Sequence, residues 1–485
     1  MSPRLLLAPL LVLALAAPAQ AAAPWSAPAD VGPPGDYVEA PTLGFSSSGT
    51  GLAGWLVRNL PAGVPPGAIT VTYQGDNDGY TSRIAALGAG GAPGTPSVPP
   101  GIDVAGPALD VAGRGLVLRS QILSSDSNAR RRQRVTWAQV SPKGVVGRAR
   151  PLFTATLTDR PSLAVDARGD AVAAWSEYLP PRSRRALWGT FRVLAAYKRA
   201  GHAFSRPVTL FVSQALDYEH NGAVTAAIGR GGRALVVFPD AHETRHGNRR
   251  AVYAWRSSGR GRFGPTMKVG PQTGFAHVAA TVTDQGRAVV AWGTQDGGEE
   301  ANQPWKVYAA TLAPRSSRFG AVQTLDPGAG VERPYGVVAL AAAPDGQVTV
   351  AWTAIRGAGA GITFPVLAAR SDTAGRFAPA QTLAPSGAVG GVAVRRDGAA
   401  IVTWANVVGI QQTNQAMAAL RPAGATAFAA PEAIAAPDVA GPPAVAFDPV
   451  TGRPTAAWPA RPNGVDPVQG LGRTAILRVA TRAAP

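Results

Sequence analysis

The fold class of this chain is decided by one stretch, residues 281–292, which reads Thr281-Val282-Thr283-Asp284-Gln285-Gly286-Arg287-Ala288-Val289-Val290-Ala291-Trp292. Two apolar runs flank an Asp-Gln-Gly turn, and a tryptophan ends the second run. A short turn rich in Asx and Gly between two β-type runs is typical of a hairpin. The second run is apolar on both faces, as in a strand whose sheet is packed between two others. The stretch therefore predicts a buried β-hairpin.

The same pattern recurs along the whole chain, with a marker residue at the end of each second run. Six markers are Trp, and in two copies Arg or Phe stands in its place. The markers are Trp55, Arg119, Trp175, Phe238, Trp292, Trp352, Trp404 and Trp458. They are 52 to 64 residues apart. Repeats of this length predict a closed radial array or an open solenoid. We interpret the repeated Trp as a wedge between repeats, and the repeated Asp and Gly as turn residues.

Each repeat contains four strand-like runs. In the fifth copy they are His277 to Val282, Arg287 to Trp292, Trp305 to Leu312 and Ala321 to Leu325. The 57 Gly and 44 Pro are spread along the chain, so few segments are long enough to form an ordinary helix. The chain is therefore predicted to be all-β, with four-stranded blades.

The two ends of the chain indicate that the array closes. The eighth repeat stops after its third strand, Ala475 to Ala480. Its missing fourth strand is matched near the N-terminus by Trp25 to Val31, which is similar to Phe319 to Leu325. An N-terminal strand that completes the last blade protects the edges of a propeller. We predict an eight-bladed β-propeller closed in this way. A seven-bladed propeller is the alternative, because the first two copies are irregular.

The first 21 residues have the pattern of a secretory signal peptide. Arg4 precedes the uncharged run Leu5 to Ala17, and Ala19-Gln20-Ala21 supplies the small residues of a cleavage site. We therefore predict a signal peptide over residues 1–21 and a single propeller domain over residues 22–485. No later stretch is long and apolar enough to cross a membrane. The expected protein is a secreted or periplasmic monomer, and the absence of Cys excludes disulfides and thiol chemistry.

The repeats resemble those of secreted bacterial β-propeller proteins of uncharacterised function. Around Ser371, Asp372, Gly375 and Phe377 the sequence is also loosely similar to the Asp-box of sialidase-type propellers. The other copies lack the Asp, and no Arg-Ile-Pro motif is present. The resemblance implies a fold, and no catalytic residue is carried over from it.

Two sets of polar residues are predicted to meet on one face of the propeller. That face carries the connections from second to third strands and from fourth strands to the next first strands. The first set is mostly acidic and also contains two His, two Tyr and one Arg. Such residues could supply a general acid or base. It consists of Glu177, Asp217, Tyr218, Glu219, His220, Asp240, His242, Asp296, Glu332, Arg333 and Tyr335. A solvated polar loop is the other interpretation of this set.

The second set is basic and belongs to three adjacent repeats. It consists of Arg130, Arg131, Arg132, Arg134, Arg182, Arg184, Arg185, Arg245, Arg249 and Arg250. In a closed propeller these clusters would form one contiguous basic rim, which suits an anionic ligand. Flexible, solvated hairpins are the alternative. The formal net charge of +17 agrees with an anionic partner but does not identify one.

The sequence favours a binding or scaffold protein that recognises an anionic polymer, glycan or protein at the cell surface, such as an acidic glycan or wall polymer. A glycoside hydrolase or lyase that uses the carboxylates of the acidic set is the alternative. Whether the protein is an enzyme stays open. Nucleic acid is disfavoured as a partner, and no cofactor or metal is predicted.

Overall fold

A computed structural model describes residues 25–35, 37–58, 80–88, 91–98, 102–125, 131–156, 161–179, 190–214, 223–244, 247–259, 261–271, 276–295, 305–328, 338–357, 361–406, 414–435, 438–461 and 475–482. The predicted signal peptide lies outside these residues. The strands are β1 (Ala29–Gly35), β2 (Tyr37–Phe45), β3 (Gly51–Arg58), β4 (Tyr80–Leu87), β5 (Ile102–Leu109), β6 (Gly115–Ser125), β7 (Arg131–Val140), β8 (Arg150–Thr156), β9 (Ser162–Val165), β10 (Ala171–Leu179), β11 (Thr190–Lys198), β12 (Val208–Gln214), β13 (Thr225–Gly229), β14 (Arg233–Thr244), β15 (Gly247–Arg256), β16 (Met267–Pro271), β17 (Ala276–Val282), β18 (Ala288–Gln295), β19 (Trp305–Leu312), β20 (Gln323–Asp326), β21 (Val338–Ala342), β22 (Val348–Thr353), β23 (Val366–Arg370), β24 (Gln381–Ala384), β25 (Ala388–Val394), β26 (Ala400–Asn406), β27 (Gln415–Arg421), β28 (Glu432–Ala433), β29 (Ala444–Phe447), β30 (Pro454–Ala460) and β31 (Ala475–Thr481).

The strands form eight antiparallel sheets, one for each predicted repeat. Blade 1 is β2-β3-β4, blades 2 to 7 take the next strands four at a time, and blade 8 is β29-β30-β31-β1. Among the described residues, the outer edge of blade 1 is completed by two isolated bridges, Ile84 with Ser97 and Leu87 with Pro93. The prediction of an all-β fold with four-stranded blades is confirmed.

The sheets close into a ring. The first strands of neighbouring blades pack against each other around the molecule, and β29 of blade 8 contacts β2 of blade 1. The closing strand β1 pairs with β31, with Ala29 opposite Val479 and Val31 opposite Leu477. The structure therefore confirms eight blades and closure by the N-terminal strand, and the seven-bladed alternative is wrong. The irregularity of the first two repeats comes from the reduced outer edge of blade 1 and from two register shifts between β5 and β6.

The aromatic marker residues fill the seams between blades, as predicted. Trp292 on blade 5 is fully buried and belongs to one apolar cluster with Val237 and Val252 of blade 4. The fit is close, because a Cβ on Gly270 of blade 4 would overlap the Trp292 ring. Phe238 fills the equivalent place on blade 4 with complete burial, so a smaller ring serves the same purpose.

The repeated Asp and Gly form the hairpin turns between first and second strands, which confirms their interpretation as turn residues. Asp166 accepts hydrogen bonds from the amides of Arg168 at 2.9 Å and Asp170 at 3.0 Å, and Gly169 has a φ of 90°. The second carboxylate oxygen of Asp166 accepts from the amide of Gly232 in the next blade at 3.1 Å. These turns therefore also connect neighbouring blades. We call the face that carries them the turn face.

No helix in the described part of the chain is long and apolar enough to span a membrane.

Candidate functional site

The opposite face, which we call the loop face, carries the two kinds of connection that the sequence analysis selected. It is reached by the ends of the second and fourth strands and by the starts of the third and first strands. Blades 2, 3 and 4 are consecutive in the ring, because β5 contacts β9 and β9 contacts β13. Their connections between second and third strands therefore lie next to each other along one arc of this face.

Two members of the acidic set are within the described residues and have described side chains. Glu177 lies on β10 and Asp240 on β14, before the ends of these strands at Leu179 and Thr244. Side chains alternate along a strand, so each carboxylate lies on the same side as the marker two residues earlier. Glu177 is 6% exposed and Asp240 is completely buried. Both are therefore part of the packed blades near the loop face.

The carboxylate of Glu177 is held by a neighbouring cation. Arg192 on β11 lies directly opposite Glu177 in the strand pairing. Its Nε donates to Glu177 Oε1 at 2.6 Å, and a second guanidinium nitrogen contacts the same oxygen. Next to this pair the rings of Tyr178 and Phe191, both buried, meet edge to face at 5.5 Å between centroids. The ion pair and the rings join the outer ends of β10 and β11 below the loop face.

For one further member of the acidic set, His242, the structure describes the backbone. The backbone of His242 pairs with that of Arg249 in the hairpin of blade 4. The remaining members lie outside the described residues: Asp217, Tyr218, Glu219, His220, Asp296, Glu332, Arg333 and Tyr335.

The members of the basic set whose side chains the structure describes lie on the hairpin of blade 2. Arg132 and Arg134 lie on β7, are both exposed, and are two residues apart, so they project from the same side of the strand. Their guanidinium groups are carried on a hairpin whose strands have 11 and 10 residues. The backbones of Arg131, Arg249 and Arg250 lie in the strands β7 and β15, while Arg130, Arg182, Arg184, Arg185 and Arg245 lie outside the described residues.

A buried ion pair at the loop face was not found by sequence reasoning. Asp326, at the end of β20, is 2% exposed and accepts from Trp352 Nε1 at 3.0 Å. Arg356 of blade 6 donates to both oxygens of this carboxylate, at 2.7 and 2.8 Å. The only signal in the sequence is an Asp at the end of a fourth strand, and it does not reveal an Arg 30 residues later in the next blade.

The described residues contain no group of three or more His, Asp or Glu side chains placed to hold a metal ion. The described part of the loop face presents the exposed Arg132 and Arg134 and the buried ion pairs of Glu177 and Asp326.

Comparisons with known proteins give no family for this chain. No family model matches it, and neither does any curated protein. Among solved structures it is similar to the polysaccharide lyase Uly1, with 9% identity, a TM-score of 0.43, and coverage of 75% of this chain and 87% of that one. It is also similar to the NanB sialidase from Streptococcus pneumoniae, with 9% identity, a TM-score of 0.39, and coverage of 95% and 70%. The α-L-arabinanase of Penicillium chrysogenum has 14% identity, a TM-score of 0.33, and coverage of 67% and 92%. The similarity to sialidase propellers is thus as loose as the sequence indicated.

Proposed function

We propose that this protein is an exported binding or scaffold protein whose loop face recognises an anionic glycan or wall polymer outside the cytoplasm. The observation that supports this most is the pair of exposed arginines, Arg132 and Arg134, on one side of the long hairpin of blade 2. Their Cα atoms are about 7 Å apart along the strand. Two guanidinium groups at this spacing can contact successive negative groups of one polymer.

The position of blade 2 in the ring extends this surface. Blades 3 and 4 follow it directly, and their equivalent connections contain the other arginines of the basic set. An arc of positive charge on three blades favours a long anionic ligand over a small one, because each contact is exposed and individually weak. Binding of this kind is sensitive to salt, since exposed charges are screened at physiological ionic strength.

The double variant Arg132→Ser, Arg134→Ser tests this proposal. We expect its affinity for polygalacturonate at low ionic strength to fall roughly tenfold, because two charge-assisted contacts are removed. The loss should shrink as salt is added. Immobilised polygalacturonate and neutral dextran, with the protein in solution at several salt concentrations, give the measurement.

A matched control removes the same charge from the same blade on the turn face. Lys143 and Arg148 are both exposed there, and Lys143→Ser with Arg148→Ser should leave the affinity unchanged. Equal losses in the two double variants would mean that only net charge matters, and the proposed surface would be wrong. Equal binding to dextran and polygalacturonate would exclude an anionic ligand.

The alternative proposal is a glycoside hydrolase or lyase on the same face. Such an enzyme needs two carboxylates roughly 5 to 10 Å apart in a pocket. Glu177 is engaged by Arg192 and Asp240 is completely buried, so the catalytic roles would fall to Asp217, Glu219 or Asp296. New reducing ends, or absorbance from an unsaturated uronate, in polygalacturonate incubated with the protein would favour this alternative.

A further inference from the structure

A cavity of about 640 Å³ lies on the turn face, between blades 4 and 5. It is formed by the start of β14, by the end of β15 with the turn that follows, and by two turns of blade 5. Its apolar lining includes Phe263 and Met267. A volume of this size is in the range of pockets that bind small molecules. The cavity belongs to the face opposite the predicted basic rim and shares no residue with it.

Four arginines line this cavity and no carboxylate does. They are Arg233, Arg256, Arg262 and Arg315. None of them forms an ion pair with another residue that the structure describes. Like charges gathered around one cavity repel each other, and a bound anion would relieve that repulsion.

An arginine at another seam of the propeller is held in the same way but is also paired with a carboxylate. At the seam between blades 7 and 8, Arg395 donates to the carbonyl of Gly452 and is also paired with Asp397, at 2.6 Å between Nη2 and Oδ2. At the seam between blades 4 and 5, Arg233 donates in the same way to the carbonyl of Gln285 at 3.2 Å, but has no such carboxylate. Both arginines therefore donate across a seam, but Arg395 has a carboxylate partner and Arg233 has none among the described residues.

Two of the four guanidinium groups are held in place by the neighbouring blade. Arg233 packs over Gly286, where a Cβ would overlap the guanidinium. Arg256 donates to the carbonyls of Ala313 at 3.3 Å and Pro314 at 2.8 Å. These bonds use part of the donor capacity of each group, since a guanidinium has five N–H donors. The cavity therefore has two cations held against the neighbouring blade, together with Arg262 and Arg315. Arg256 is half-buried, and the other three arginines are exposed.

A fifth polar residue in the lining has a side-chain hydroxyl without a described partner. Ser257 is completely buried, and its hydroxyl has no hydrogen-bond partner within the described structure. A buried polar group without a partner is costly. Ser257 belongs to the lining of the cavity, and its hydroxyl is a hydrogen-bond donor without a described partner.

We propose that this cavity binds a small ligand through a tetrahedral oxyanion ester, a phosphate or sulfate monoester carried by a sugar-sized group. Guanidinium groups match the oxygens of such esters in bidentate fashion, and several can share one ester. The proposal is independent of the loop face and of the anionic polymer proposed there.

The double variant Arg262→Ser, Arg315→Ser tests the site without disturbing the seam, because neither side chain bonds to another described residue. Glucose 6-phosphate, glucose 6-sulfate and glucose are titrated into the full chain in a calorimeter. We expect both esters to bind and glucose to give no heat. The double variant should bind the esters at least about tenfold more weakly, because charge-assisted contacts to the ester are lost. Lys143→Ser with Arg148→Ser, which removes the same charge from the turn face of blade 2, should bind them as the unaltered chain does.

The two esters are distinguished by pH. A phosphate monoester gains a second charge above pH of about 6, whereas a sulfate monoester does not. Tighter binding of the phosphate from pH 5 to pH 8, with constant binding of the sulfate, identifies the phosphate ester as the better fit. Absence of binding by either ester, or equal binding by the cavity variant and the unaltered chain, would overturn the proposal. Loss of ester binding in Arg132→Ser, Arg134→Ser would place the anion on the loop face and would also overturn it.

Discussion

Replacement of Trp352 by Ala should lower the free energy of unfolding by about 3 to 5 kcal/mol, the usual cost of deleting a large buried aromatic side chain. Trp352 is completely buried in the seam between blades 5 and 6, in one cluster with Val289 and Val307 of blade 5. Its Nε1 also donates to the buried carboxylate of Asp326. The substitution would therefore leave a cavity between two sheets and remove a donor from a buried charge. Urea denaturation followed by circular dichroism measures the change.

Two further variants separate the seam from general effects of truncation. Trp352→Phe keeps most of the ring and loses the donor, so it should cost less than the Ala variant. Val450→Ala shortens an apolar side chain that is 63% exposed on a turn of blade 8, and should change the free energy of unfolding by less than about 0.5 kcal/mol. A cost below about 1 kcal/mol for Trp352→Ala would contradict the role of the marker residues as wedges.

The fold could be predicted from the sequence because one local pattern recurs in eight repeats. The pattern is two apolar runs around a turn, with a marker residue near the end of the second run. The third strand of the fifth repeat was predicted at Trp305 to Leu312 and has those limits in the structure. Its second strand was predicted to end at Trp292 but continues to Gln295. A paired strand extends as far as its partner does. The end of β18 at Gln295 is therefore set by the start of β19 at Trp305, and the residues of β18 alone do not indicate it.

The position of a strand end also decides where a residue of the candidate site lies. Glu177 follows the marker by two residues, and its sequence position suggested a loop. The pairing of β10 with β11 continues to Leu179 and places the carboxylate in the sheet, opposite Arg192. A contact across a seam leaves no local pattern in the sequence, because its two residues, such as Asp326 and Arg356, belong to different blades. The cavity between blades 4 and 5 combines residues from positions 233 to 317, and no local pattern marks them as neighbours.

The second large effect on the free energy of unfolding is expected where the ring closes. One carboxylate, that of Glu432, bonds to both chain segments that meet there. Glu432 on β28 of blade 7 accepts from Trp25 Nε1 at 2.8 Å, near the start of the closing strand. The same carboxylate receives a forked pair of bonds from Arg482, from Nε at 2.6 Å and from Nη2 at 3.2 Å. Trp25 and Arg482 also form a bridge with each other. A residue of blade 7 therefore holds both chain segments that complete blade 8.

The variant Glu432→Ala should lower the free energy of unfolding by about 3 kcal/mol. The side chain of Arg482 is only 5% exposed, and removal of one partner leaves the other as an uncompensated buried charge. Arg482→Met tests the pair from its other side, and the double variant should cost less than the sum of the two single ones. Urea denaturation gives the free energies, and hydrogen exchange of the β1 and β31 amides reports the opening of blade 8 directly. Additive costs would show that the two side chains stabilise the closure separately.

Asp30 provides the comparison, because it lies on the closing strand β1 and is also paired with an arginine. Its Oδ1 is 2.7 Å from Arg478 Nε, but its side chain is 50% exposed. An ion pair open to solvent contributes between about 0 and 1 kcal/mol, so Asp30→Asn should cost far less than Glu432→Ala. The contrast follows from burial and from the number of partners, because Glu432 also accepts from Trp25, whereas Arg478 keeps a second carboxylate partner, Asp438, when Asp30 is replaced. If the two variants cost the same, the burial of Arg482 has no role in closure, and the pairing of β1 with β31 must hold the ring by itself.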